Sequence, residues 1–94
     1  MELEFFQECI KKTYFEKDSH RGIQGTFLWF MEEIGELARS IRKGNQKEKE
    51  EEFADVFAWL VSLANLCNIN LDQASRKYVP GCPKCEARRC VCEE

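Results

Sequence analysis

Two apolar stripes at helical spacing, separated by a Gly-Asn pair, constrain this chain more than anything else in it. Phe27, Phe30, Met31, Ile34, Leu37, Ala38 and Ile41 recur along one helix face, and Phe53, Val56, Phe57, Leu60, Leu63, Ala64 and Cys67 do the same beyond Gly44-Asn45. Thr26 is expected to cap the first helix at its N-terminus and Gly44 to close it, with Arg42 and Lys43 placed at the negative end of its dipole. The second helix is expected from Gln46 to about Cys67. With so short a turn between them the two run antiparallel, and the heart of the fold is a helical hairpin.

A second stripe borders each apolar one. At about 100° per residue, Trp29, Glu33, Glu36 and Ser40 align on the first helix, and Glu48, Glu52, Asp55, Trp59 and Ser62 on the second. If the reversal is centred near Asn45, the pairs Glu33/Glu36 and Glu52/Asp55 reach one height, roughly 10 to 18 Å from the turn at about 1.5 Å of rise per residue. Trp29 and Trp59 then form an aromatic end wall. Four carboxylates brought together repel one another unless a cation lies among them, so the pattern predicts a divalent-metal site. All-oxygen ligation favours magnesium or manganese. A ferritin-like di-iron site would need Glu-x-x-His, and the only histidine, His20, lies outside both helices. Ordinary solvated surface is the competing reading, and it suffices for Glu48, Glu50 and Glu51 in the Lys/Glu-rich run after the turn.

The string from Arg21 to Ala38, with Glu32-Glu33-Ile34-Gly35-Glu36-Leu37-Ala38 at its end, followed by Glu51-Glu52-Phe53-Ala54-Asp55-Val56, resembles the MazG-like nucleotide pyrophosphohydrolases over roughly residues 20 to 78. The pattern is Glu-Glu-x-x-Glu, a spacer, then Glu-x-x-Asp. The resemblance implies an all-α, oligomeric, magnesium-dependent enzyme that cleaves nucleoside triphosphates between the α and β phosphates, giving a monophosphate and pyrophosphate. It maps Glu33, Glu36, Glu52 and Asp55 onto the family's metal ligands and leaves Glu32 either supporting them or structural. Glu33 or Glu36, whichever is less committed to the metal, would accept the proton of the attacking water. It also suggests His20, Gln24, Trp29 and Trp59 as candidates for the nucleoside pocket. For the tryptophans, core packing is an equal alternative, and for His20 an exposed loop position is favoured. Better-known members follow the hairpin with another helix and a basic phosphate-holding stretch. Here Leu71 to Tyr78 is short, Lys77 is the candidate counterpart with Arg76 behind it, and Val79-Pro80-Gly81 ends the helix.

The tail carries Cys82-x-x-Cys85 and Cys90-x-Cys92. Tetrahedral zinc is the favoured reading, with disulfides or a disordered reduced tail as alternatives. Four thiolates would leave no open coordination position, so such a zinc would be structural. Cys9 and Cys67 lie on apolar stripes and read as core.

The chain organisation expected is therefore a MazG-like domain over residues 1–79 and a Cys-rich extension over 80–94. An N-terminal helix carries Leu3, Phe6, Cys9, Ile10, Thr13 and Tyr14 on one face, and Asp18 to Gly25 is the expected connecting loop. Phe5, Phe15 and the broad apolar faces exceed what three helices can bury, which points to a homodimer or homotetramer completing a four-helix bundle. Acidic residues outnumber basic ones, 17 to 14, which argues against a nucleic-acid partner. The start Met1-Glu2-Leu3-Glu4 lacks the basic region of a signal peptide and the longest apolar run is Val56 to Val61, so a cytoplasmic protein without membrane association is expected. The reading reached is a nucleoside triphosphate pyrophosphohydrolase clearing non-standard nucleotides. Phosphoribosyl-ATP cleavage is a related activity, and a non-catalytic oligomeric module whose zinc tail binds a protein partner is the alternative.

Overall fold

In the computed structural model, which describes residues 1–93, the first helix does not wait for a loop. Helix α1 runs Leu3–Lys43 and is broken only at Gly22, whose φ of 86° and ψ of 169° turn the chain within one residue. Only glycine adopts such a conformation freely. No atom stands within 4 Å of where its Cβ would lie, so the requirement is one of backbone conformation and not of space. The expected loop from Asp18 to Gly25 is thus corrected to a single-residue elbow between an arm, residues 3–21, and a limb, residues 23–43. Its neighbours hold it: Arg21 Nη1 donates to Asp18 Oδ1 at 2.9 Å and to Thr26 Oγ1 at 3.2 Å, bridging the break. Thr26 lies fully buried inside α1, so it receives Arg21 and does not cap the helix.

Gly44 ends α1 in an extended conformation, with φ −82°. A side chain there would bring a Cβ within 2.7 Å of the Ser40 carbonyl oxygen, so the close approach of the backbone is what demands glycine. Asn45 then caps helix α2, Gln46–Leu66, by accepting a hydrogen bond from the Glu48 N–H at 2.9 Å. At its far end α2 closes through Asn68, which takes a left-handed φ of 57° while the Ile69 N–H reaches back to the Ala64 carbonyl at 2.8 Å. Asn70 caps the short α3, Leu71–Ser75, and a 3₁₀ turn, Arg76–Tyr78, follows. No strand occurs among the described residues, and the architecture is all-α, as expected. No single helix is long and apolar enough to cross a membrane.

The arm of α1 packs back on α2. Phe6 stacks on Phe57 with ring centroids 5.2 Å apart, and buried Gln7 binds three groups at once. Its Nε2 donates to Asn65 Oδ1 at 3.0 Å and to the Ile69 carbonyl at 2.7 Å, and its Oε1 accepts from the Leu71 N–H at 2.9 Å. That latch ties the N-terminal arm to the segment leading into α3. Cys9 beside it is half-buried, whereas Cys67 is exposed at the end of α2 and corrects its reading as core.

The seam of the hairpin also differs from expectation. Thr26, Ser40 and Ser62 are buried along it, while Phe27, Met31, Ile41, Phe53, Phe57 and Leu60 on the apolar stripes are each more than a third exposed. Among the described residues, only Ile10, Val61 and Ala64 are buried hydrophobic residues. Thr26, Ser40 and Ser62 are small enough to let the two backbones approach, while Phe30, Ile34, Leu37, Val56 and Leu63 of the apolar stripes are half-buried and the outer members of those stripes face solvent.

Candidate metal and substrate site

The border stripes of the two helices gather the acids at the seam. Glu33, Glu36 and Glu52 each offer a carboxylate oxygen, and these lie within 4.8 Å of one another across the α1–α2 seam. Asp55 stands outside that trio, yet close enough for its charge to act on both Glu33 and Glu52. Trp29 and Trp59 stack at 6.1 Å with planes 15° apart. The Trp29–Trp59 stack and the Glu36–Glu52 contact place the centre of the reversal at Gly44, one residue earlier than expected.

Electrostatics show how crowded the acids are. Burial holds the Glu33 carboxyl above its ordinary value of 4.5, and the charges of Glu36, Asp55 and Glu32 push the same way. Glu52 is raised too, first by desolvation and then by the charge of Glu36 and a hydrogen bond with it. Glu33 Oε2 is buried with no hydrogen-bond partner. An acceptor oxygen left in that state is costly, and a cation coordinated by the trio would relieve both the orphaned oxygen and the mutual repulsion. The donor set is oxygen only, which fits magnesium or manganese.

A raised carboxyl pKa favours the protonated form in the fold, so the stability it contributes is full below 4.5 and is lost as pH rises through the elevated value. For metal-free protein, the melting temperature is expected to fall relative to that of Glu52→Gln as pH rises above the ordinary carboxyl value of 4.5, with magnesium closing the gap. Parallel melting curves in scanning fluorimetry would show that these acids do not strain the fold.

Cavities flank the acids on either side. Toward the turn, one of about 380 Å³ is lined by Glu36, Glu52, Arg39, Lys43 and Glu48. On the aromatic side, one of about 260 Å³ is lined by Tyr14, Lys17, Asp18, Arg21, Asp55 and Trp59. The Arg21 guanidinium carbon lies 4.9 Å from the Trp59 ring centroid, so this one side chain joins Asp18, Thr26 and Trp59. Asp18 is 3% exposed, and its Oδ2 has no partner.

Sequence reasoning missed Arg21, Asp18 and Lys17 as part of this cavity. The available signal was Arg21 heading the string with the Glu-Glu-x-x-Glu motif, but treating 18–25 as a loop detached it from the helices. Among the candidates, Trp59 lines the cavity and Trp29 stacks against it. The structure does not bring the others there. His20 is exposed and lines a separate surface hollow with Thr13 and Glu16, Gln24 is exposed, and Lys77 lies 5.2 Å from the ring of neighbouring Tyr78.

The four tail cysteines form a second cluster, with sulfur atoms within 4.8 Å of one another, a set able to hold a metal. Backbone N–H groups of Val91 and Ala87 directed at its sulfur lower the Cys85 thiol to about 6. Those of Cys85 and Lys84 lower Cys82, while contact with Cys90 raises Cys92.

Compared with known proteins, residues 21–88 match the profile of the MazG nucleotide pyrophosphohydrolase domain. No curated protein matches the chain.

Proposed function

Because the chain belongs to the MazG nucleotide pyrophosphohydrolase family, we propose that it is a magnesium-dependent enzyme cleaving nucleoside triphosphates to monophosphate and pyrophosphate. The observation that carries the reading is the carboxylate trio with its orphaned Glu33 Oε2, set between two cavities whose linings each include basic side chains, Arg39 and Lys43 in one and Lys17 and Arg21 in the other. Glu33, Glu36 and Glu52 would hold the metal, with Asp55 beside them. Bound magnesium supplies charge neutralisation for the polyphosphate and a lowered pKa for the attacking water.

The chain's own residues set the rest. Glu33 or Glu36, whichever carboxylate is less committed to the metal, takes the water's proton. Lys17 and Arg21 offer donors to phosphate in the aromatic-side cavity, where Asp18 and Asp55 balance their charge and a bound metal would be needed to favour a polyphosphate, and the Trp59 ring offers an apolar wall to the nucleoside. Arg21 is pre-set by Asp18 and Thr26, so little side-chain freedom is lost when substrate arrives.

The working molecule is a homo-oligomer. The exposed apolar stripes of both hairpin helices, with Phe5 62% exposed and Phe53 57%, support association through that face, and a dimer or tetramer would bury them. The expected role is removal of non-standard nucleotides.

The test is pyrophosphate release from a panel of standard, oxidised and deaminated nucleoside triphosphates with magnesium, together with phosphoribosyl-ATP. Stoichiometric monophosphate and pyrophosphate from at least one triphosphate is expected, from a species sedimenting as a dimer or larger. Release of orthophosphate alone, or no turnover of any substrate by magnesium-bound protein, would overturn the reading and leave a non-catalytic module.

A further inference from the structure

The nucleotide-cleaving reading makes no use of the chain beyond Val79, and burial does not explain how that segment is held. Residues 81–93 contain no helix or strand, and Val91 is 75% exposed. Their backbone is nonetheless closely defined. The Cys82 N–H donates to the Ala87 carbonyl at 2.9 Å and the Glu86 N–H to the Cys82 carbonyl at 2.8 Å, closing a tight loop around Cys82-Pro83-Lys84-Cys85. Gly81 enters it with φ 139°, and a Cβ there would meet the Ala87 carbonyl oxygen at 2.6 Å. Glu86 leaves it with a left-handed φ of 61°, a conformation costly for a residue with a side chain. Something other than an apolar core must offset that cost.

We propose that Cys82, Cys85, Cys90 and Cys92 bind one zinc ion in a closed, structural tetrathiolate site that folds the tail. With zinc–sulfur bonds of about 2.3 Å, the edge of a regular tetrahedron is about 3.8 Å. Cys82 Sγ and Cys92 Sγ are 3.8 Å apart, and all four sulfurs lie within 4.8 Å of one another. Such a cluster suits one central ion, whereas two disulfides would draw the sulfurs together in pairs, and all six cysteines are free. Backbone N–H groups point at the sulfurs of Cys82, Cys85 and Cys90, the last from Cys92 at 3.4 Å. Donors aimed at sulfur are what thiolate ligands need from their surroundings.

Tetrahedral thiolate geometry admits zinc or iron. Cys90 and Cys92 are exposed, and an iron site open to water and oxygen would oxidise, while zinc has no redox chemistry. One zinc and four thiolates carry two net negative charges, and Arg88 and Arg89 stand in sequence between the two cysteine pairs, with Lys84 inside the first, against Glu86 and Glu93 nearby. With all four positions filled by sulfur, the ion leaves no place for water or substrate and does not catalyse.

The experiment is metal analysis of the full-length protein, purified reduced and reconstituted with zinc, with cobalt substituted in parallel. One zinc per chain is expected, released by a thiol-blocking mercurial, and cobalt should give the intense sulfur-to-metal charge-transfer band of a tetrathiolate. Cys82→Ser/Cys85→Ser and Cys90→Ser/Cys92→Ser should each lose that equivalent, and Cys67→Ser should keep it. Six reactive thiols without zinc, two disulfides by mass, or iron as the bound ion would overturn the proposal. So would zinc retained by both double variants, which would place it elsewhere. If those variants fail to fold, the cobalt spectrum of the unaltered chain decides, since carboxylate ligation lacks the charge-transfer band.

Discussion

Glu36→Gln and Asp55→Asn should each lower kcat/KM for the preferred triphosphate roughly 10²- to 10³-fold, the range for losing one preorganised electrostatic contact in a site. What separates this from simple damage is the accompanying change in stability. Glu36 is the neighbour whose charge bears most on Glu52 and, after burial, most on Glu33. Replacing it by an amide removes repulsion that the metal-free fold must otherwise bear, so Glu36→Gln should melt at the same temperature as the unaltered protein or higher without metal. Magnesium should stabilise it less. Asp55 acts on the same two carboxylates, and its amide should behave alike. Steady-state pyrophosphate release and thermal melts with and without magnesium are the measurements. Unchanged rates in both variants would exclude this cluster as the active site.

The largest effect on folding is expected from Gln7→Met, which keeps roughly the length and bulk of the side chain and removes its polar atoms. Gln7 is 9% exposed and satisfies Asn65, the Ile69 carbonyl and the Leu71 N–H, and the methionine would leave all three without that partner. At about 1 kcal/mol or more for each group left unpaired, the loss is about 3 kcal/mol. For a domain of this size that corresponds to a fall of roughly 10 to 20 °C in melting temperature. Urea titration at fixed protein concentration measures it. A loss under about 1 kcal/mol would mean that water replaces the amide and that the latch contributes little.

The hairpin and its acids were legible because both follow from a period: helical spacing set the stripes, and a short turn set which residues could meet. Glu33, Glu36 and Glu52 come together for that reason, and Trp29 meets Trp59 by the same register. Two things escaped. Small residues such as Thr26, Ser40 and Ser62 take the tightest places at the seam, and a hydrophobicity pattern read for one chain assigns Phe27 and Phe53 to a core that a single chain does not form. Contacts between distant segments, such as Gln7 with Leu71, leave no trace in local periodicity. Gly22 illustrates the limit most clearly, since a glycine among Ser, His and Gln reads as part of a loop when its positive φ makes the loop unnecessary. That error separated Arg21 from the cavity it lines.

The elbow at Gly22 also bears on the order in which the molecule assembles. The arm is synthesised well before Phe57, Asn65 and Ile69, on which it settles, with 58 positions separating Gln7 from Asn65. The hairpin can close as soon as its own two rods exist, because its contacts are nearer in sequence. An arm that docks through one pivot on contacts so distant in sequence is expected to dock after the hairpin, and an undocked arm would leave the same surface of α2 open to the arm of a neighbouring chain.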